Sequence, residues 1–392
     1  MSPVPNVATA ARPRRDSIDL VRGLVMVIMA LDHLRDFLSG SAVHPRDVTD
    51  PALFLTRWIT HFCAPTFIFL AGVSAYLYGH RGRSRGDLSR FLLTRGLWLV
   101  VLELTVVRVA WTFSIAFQVL PLQVIWAIGW SMVALSALVF LPRWAIGAFG
   151  IALIAGHNLL DGVHAAQLGG AGWLWNFVHE RAFLPPWRGV TVFVSYPLVP
   201  WIGVLAAGYA FGPIFTRPEA ERRRRLVQVG LGAVALFVVL RAFDLYGDPA
   251  PRVAYADALA SILSFVDCEK YPPSLLYLCM TLGPALLLLA AAERARGRVA
   301  SWLVTFGRVP MLYYVAHLYL AHLLAVAYAL LAHGDAGWLF GGLPTRNKPP
   351  GYGLPLPALY VVWIAVVLAL TPLCRWFAAL KQRRRDWWLS YL

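Results

Sequence analysis

Arg22 and His33 lie on one apolar stretch, SIDLVRGLVMVIMALDHLRDFLSG, eleven residues apart. On an α-helix that spacing is three turns plus about 20°, or roughly 16 Å, so the two side chains share a face at opposite ends of it. Asp19, Met26, Met29 and Asp36 fall near the same stripe. A neutral imidazole accepts a proton from a hydroxyl or amine near pH 7, and a neighbouring carboxylate can orient it. His33 has Asp32 and Asp36 available for that task. Arg57 and His61, spaced i, i+4 in the next apolar run, would meet this group, and His44 is confined to the same region by the short loop between the two runs. Asp19 with Arg22 at i, i+3 also suits an ordinary ion pair at a helix start. His317 follows Tyr313 and Tyr314 by one turn and suits a buried hydrogen-bonding role.

The element that carries these residues must lie in a membrane. The chain of 392 residues is 59% hydrophobic and 14% charged, with 16 Trp, and its mean hydropathy is +0.62; soluble domains do not have this composition. Ionisable groups at membrane depth cost several kcal/mol unless they face the bundle interior or a wet cavity. The stripe is therefore expected to line something. Ten candidate spans follow, at 18–38, 53–79, 88–112, 121–141, 143–160, 190–214, 226–246, 273–292, 309–332 and 356–378, with the break at LPRWA the weakest. The expected class is an all-α polytopic helix bundle of about ten transmembrane helices.

The net charge of +15 fits topology better than a nucleic-acid partner, because the arginines sit in short clusters between apolar runs. ARPRR, GHRGRSRG, TRPEAERRRR, ERARGRV and KQRRR all fall on one side when both termini are cytoplasmic. The first apolar run has no small-residue cleavage signature and reads as a retained anchor. The expected organisation is a cytoplasmic segment 1–17, one transmembrane domain 18–380 and a basic cytoplasmic tail 381–392. Of ten histidines only His80 falls on the cytoplasmic side, which places the chemistry toward the opposite face. The longer far-side loops carry Trp173, Trp175, Trp187 and Lys270 as candidate substrate contacts, although interfacial anchoring is the ordinary role of such tryptophans. Cys63, Cys268, Cys279 and Cys374 show no C-x-x-C spacing, so neither a disulfide framework nor a metal is expected. Motifs for ATP-driven transport, zinc peptidases and serine hydrolases are absent.

SIDLVRGLVMVIMALDH, RWITHFCAPTFIFLAGVSAYL, YPLVPWIGVLAAGYAFG, KYPPSLLYLCMTLGPALL and FGRVPMLYYVAHLYLAHLL together resemble the bacterial branch of the heparan-α-glucosaminide N-acetyltransferase catalytic-domain family. Arg22, ten residues and His33 also match the R-x10-H pattern of related membrane acyltransferases that O-acetylate polysaccharides. The resemblance implies a donor, acetyl-CoA or another acyl-CoA, on the cytoplasmic side and a glycan or small-molecule acceptor on the other. It implies an inner-membrane location. Counted from the shared Arg22-Gly23 pair, the catalytic histidine of the lysosomal enzymes falls on His44, and an asparagine that holds their acetyl group falls on His33. Either histidine is thus a candidate base. Arg22 and Asp19 are the expected donor-binding residues, and His61, Arg57 and Lys270 the acceptor-binding ones. A proton-coupled transporter without acyl chemistry is the rival reading of the same buried charges. Oligomeric state is left open.

Overall fold

The computed structural model describes residues 16–40, 46–346, 348–384, 386 and 389. The chain is a polytopic helix bundle. Helices α1 (Asp16–Leu38), α2 (Pro51–Thr60), α3 (Cys63–Gly79) and α4 (Arg85–Leu102) are followed by a π-helical turn, Glu103–Val107, that runs into α5 (Arg108–Thr112). Next come α6 (Val124–Leu138), α7 (Arg143–Gly156), α8 (Gly172–Val178), α9 (Leu198–Phe211) and α10 (Glu219–Ala242). The order ends with α11 (Ala258–Val266), α12 (Leu275–Ala292), α13 (Arg298–Arg308), α14 (Pro310–His333) and α15 (Leu356–Arg383). A helix stands at each of the ten expected spans. Seven helical stretches are long and apolar enough to cross a membrane by length and composition, from Pro51–Gly79 to Leu356–Arg383. The others are α1, studded with charges, α4 with its arginines, and the 15-residue α6.

Two expected spans begin later than their hydropathy suggests. Residues Thr191–Val194 form a strand, β3, and helix α9 starts only after Pro197. The β-branched sequence TVFV and the proline that follows it favour extended backbone there. Likewise Val119–Leu122 is strand β1, and α6 begins beyond Pro121. With β2 (Ala182–Phe183) they make a small sheet in the order β1-β3-β2: Val119 pairs with Thr191 in parallel, and Ala182 with Val194 antiparallel. LPRWA does separate two helices, since Pro142 caps α7.

Helix α1 is central, packed against α2, α3, α12, α13, α14 and α15. A helix bearing so many ionisable groups is stable at that depth only where protein, not lipid, surrounds it. Its contact with the amphipathic α13 is a close crossing. A Cβ on Gly23 would lie 1.8 Å from the Leu303 carbonyl oxygen, and one on Gly307 1.8 Å from that of Asp19. The two backbones touch through this glycine pair, as small residues allow at membrane helix crossings. Gly23 of the Arg22-Gly23 pair is thereby a packing residue.

Candidate active site

Two cavities, of about 740 Å³ and about 710 Å³, lie on either side of His33. Asp19, Arg22, Met26, Met29 and His33 all line the first, so the predicted stripe faces internal space along its length. The second is lined by Arg35, Asp36, Arg57, His61 and Arg181 among others. Asp32, His33, Gln123, Tyr196 and Lys270 line both.

At the first cavity Arg22 reaches Asp19 at 3.1 Å, the Ser74 hydroxyl at 2.8 Å and the Gly307 carbonyl at 3.4 Å. His80, Arg81 and Arg95 line the same space, which makes that end cationic. Helix α3 contributes Ser74, and the glycine crossing with α13 holds the arginine's base.

Where the cavities meet, His33 Nδ1 lies 2.7 Å from His317 Nε2, with the rings stacked 6° from parallel. His317 Nδ1 lies 2.7 Å from the Tyr313 carbonyl oxygen. A carbonyl only accepts, so Nδ1 of His317 carries a proton. His317 is fully buried and bonds no carboxylate among the described residues; as a neutral ring its Nε2 is then an acceptor. His33 must donate from Nδ1, and its Nε2 is left with a lone pair. The edges of Trp111 and Tyr314, at centroid distances of 5.3 and 5.8 Å, complete the walls around that imidazole.

The carboxylates are engaged elsewhere. Asp32 accepts from Arg57 at 2.7 Å and from Arg35 at 2.9 Å, and Asp36 accepts from Arg35 at 2.7 Å. The expectation that Asp32 or Asp36 orients His33 is therefore corrected: His317 does so. Asp32 is one residue from His33 and so about 100° away around the helix, facing α2 and its Arg57. Arg35 draws Asp36 into the same network. His61 is buried with its ring edge on Tyr277, whose hydroxyl donates to the His61 carbonyl at 2.8 Å. Lys270 sits 5.1 Å from the Tyr271 ring centroid. His44 lies outside the described residues, but Ser39, Gly40, Arg46 and Asp50 on both flanks of its loop line the second cavity.

The loops at this cavity tune two further groups. Burial favours the neutral Tyr271 phenol, but Lys270, Arg57 and Arg181 together outweigh it and bring the group down to about 8. Burial, helped by Arg35 and opposed by Asp36, lowers Lys348 to about 8. The Lys348 ammonium donates to the Ser39 carbonyl at 2.6 Å.

Several contributors escaped the sequence reading. Gln123, Tyr196 and Arg181 belong to segments whose motifs carried no recognisable chemistry. A lone glutamine before a helix was the only signal for Gln123. Its backbone N–H donates to Glu103 Oε1 at 3.0 Å, so the buried carboxylate of the π-helical turn holds the start of α6. Trp173, Trp175 and Trp187 line neither cavity; Trp175 instead stacks on His179, and Trp173 and Trp187 are exposed.

A comparison with curated proteins returned no match. A family model does match: that described as heparan-alpha-glucosaminide N-acetyltransferase, catalytic, over residues 14–241. That interval holds α1 to α9 and all but the last residue of α10, hence Arg22, His33, Arg57 and Gln123, while Lys270 and His317 follow it. The protein belongs to this catalytic family, a family of transmembrane acetyltransferases.

Proposed function

We propose that the protein transfers an acetyl or other acyl group from cytoplasmic acyl-CoA to a hydroxyl or amine of an extracytoplasmic carbohydrate acceptor. The observation that carries this reading is the pair of cavities meeting at His33, with an unprotonated ring nitrogen on that residue. Acyl-CoA enters the first cavity, its phosphates toward Arg22, Arg81 and Arg95, and its thioester beside His33. The acceptor enters from the second, against Arg57, His61 and Lys270. His33 Nε2 takes the proton of the acceptor group as its oxygen or nitrogen bonds to the carbonyl carbon. The C–S bond then breaks, and the proton passes to the departing CoA thiolate. The Lys270 ammonium and the Gln123 amide are donors for the oxyanion that forms between these steps. Asp32 and Asp36 keep Arg57 and Arg35 in place, and Asp19 keeps Arg22 in place.

In this reading residues 18–380 form one transmembrane domain in a bacterial cytoplasmic membrane, flanked by cytoplasmic segments 1–17 and 381–392. His44, the position that the family resemblance marks, is the second candidate base. The test incubates purified protein with radiolabelled acetyl-CoA and fractionated envelope extract. Transfer of label into one fraction is expected, with His33→Ala reducing it by about 10²–10⁴-fold. If His44→Ala abolishes transfer while His33→Ala leaves it intact, the base is His44. Flux of a substrate without acyl-CoA consumption would replace the enzyme reading by that of a transporter.

A further inference from the structure

Away from both cavities, His157, Asp161 and His179 bring three ligand atoms within 4.8 Å of one another. His157 follows α7 and His179 follows α8, so the cluster joins two elements across the intervening loop. His157 Nδ1 lies 3.4 Å from His179 Nε2, and His179 Nε2 lies 3.9 Å from Asp161 Oδ1. A tetrahedral zinc ion with bonds of about 2.0–2.1 Å separates its ligand atoms by about 3.3 Å, so small side-chain movements close the site.

The surroundings are those of a built site. Both histidines are more than nine-tenths buried, and it is Nδ1 of His157 that faces His179. Asn158 donates to Asp161 Oδ2 at 2.8 Å, leaving Oδ1 on the histidine side, and Asn158 is itself fixed by the Leu275 N–H at 2.9 Å. Trp175 stacks over the His179 ring at 4.9 Å. Such outer partners hold ligands in place in metal sites. The two imidazoles satisfy each other poorly at 3.4 Å, and His179 Nε2 also lies 3.0 Å from the His157 carbonyl.

We propose that His157, Asp161 and His179 form a zinc-binding site that ties the end of α7 to the segment 161–179. The nitrogen and carboxylate donor set suits Zn²⁺ and leaves a fourth position for water. On binding, the His179 ring shifts its proton from Nε2 to Nδ1 and exchanges the carbonyl contact for the metal. The site stands apart from the acyl-transfer reading, so its test needs no activity.

Full-length protein is stripped with chelator, titrated with ZnCl₂ by calorimetry and analysed for bound metal after dialysis. About one zinc per chain is expected, with roughly 100-fold weaker binding in His179→Ala and His157→Ala. Cobalt(II) should give the intense visible bands of a four-coordinate ion in wild type and not in the variants. Zinc should also slow proteolysis within 161–179 in wild type alone. Variants that melt at the wild-type temperature without metal exclude misfolding as the cause of lost binding. Substoichiometric zinc in wild type, or full binding retained by the His157→Ala/His179→Ala protein, overturns the site.

Discussion

Replacing His317 by alanine removes the acceptor that fixes the His33 tautomer while leaving every cavity-lining side chain in place. His33 Nδ1 then has no partner at 2.7 Å, and an unsatisfied buried donor costs about 1–3 kcal/mol. The ring escapes that cost by moving its proton to Nε2, the nitrogen assigned to take the acceptor proton. At 1.36 kcal/mol per tenfold in rate, the expected loss in kcat is about 5- to 150-fold. Binding of acyl-CoA is governed by Arg22 and its neighbours, so KM for the donor should stay within about twofold of wild type. His317→Gln presents an amide oxygen to Nδ1 and should recover much of the rate. The assay is steady-state release of free CoA thiol by detergent-solubilised protein. A His317→Ala enzyme with the wild-type kcat, or one in which glutamine is no better than alanine, refutes the tautomer argument.

Gly23→Ala drives a methyl into the Leu303 carbonyl and should lower the melting temperature in detergent; an overpacked contact costs about 1–3 kcal/mol, and an unchanged melting curve would mean the helices part freely. Arg57→Ala leaves Asp32 a buried charge with Arg35 as its remaining hydrogen-bonded partner among the described residues and should destabilise the fold by about 3–5 kcal/mol, read by denaturant titration; Arg57→Ala/Asp32→Asn should recover part of the loss. Ser74→Ala removes one hydrogen bond to Arg22 and should raise KM for acyl-CoA about two- to tenfold with kcat unaltered. Tyr271 and Lys348 both lose their protons near 8. As pH rises through that value, phenol becomes phenolate and ammonium becomes amine, so the second cavity grows more negative by two charges. The KM of an anionic acceptor should rise across pH 7–9, and Tyr271→Phe should remove about half of that dependence.

Much of the membrane architecture is written in hydropathy alone, because the apolar spans must be helical to satisfy their backbones in lipid. The Arg22-to-His33 stripe was equally legible, since a fixed helical period decides which side chains share a face. The partner of His33 was not. His317 is 284 residues away, and its role depends on how α14 rotates against α1. The carboxylate expectation failed at Asp32 and Asp36 because arginines outcompete a neutral imidazole for an anion, and sequence adjacency says nothing of that contest. Strand β3 and the end of β1 fall within expected helical spans, since short runs such as TVFV carry the same apolar signal in either conformation.

The π-helical turn at Glu103–Val107 acts as a one-residue slip in the winding of its helix. In ordinary α-helical winding such an insertion rotates everything after it by about 100° relative to everything before. Trp111 faces His33, and Arg108 turns toward the Ala116 carbonyl at 2.8 Å, because the π-helical turn absorbs that offset. Deleting a single residue from the turn would restore ordinary winding and keep the indole against the imidazole, whereas the same deletion in a flanking α-helical turn would swing Trp111, which lines the second cavity, by about 100°. Spacing and winding at this one turn together set the azimuth of Trp111 beside His33.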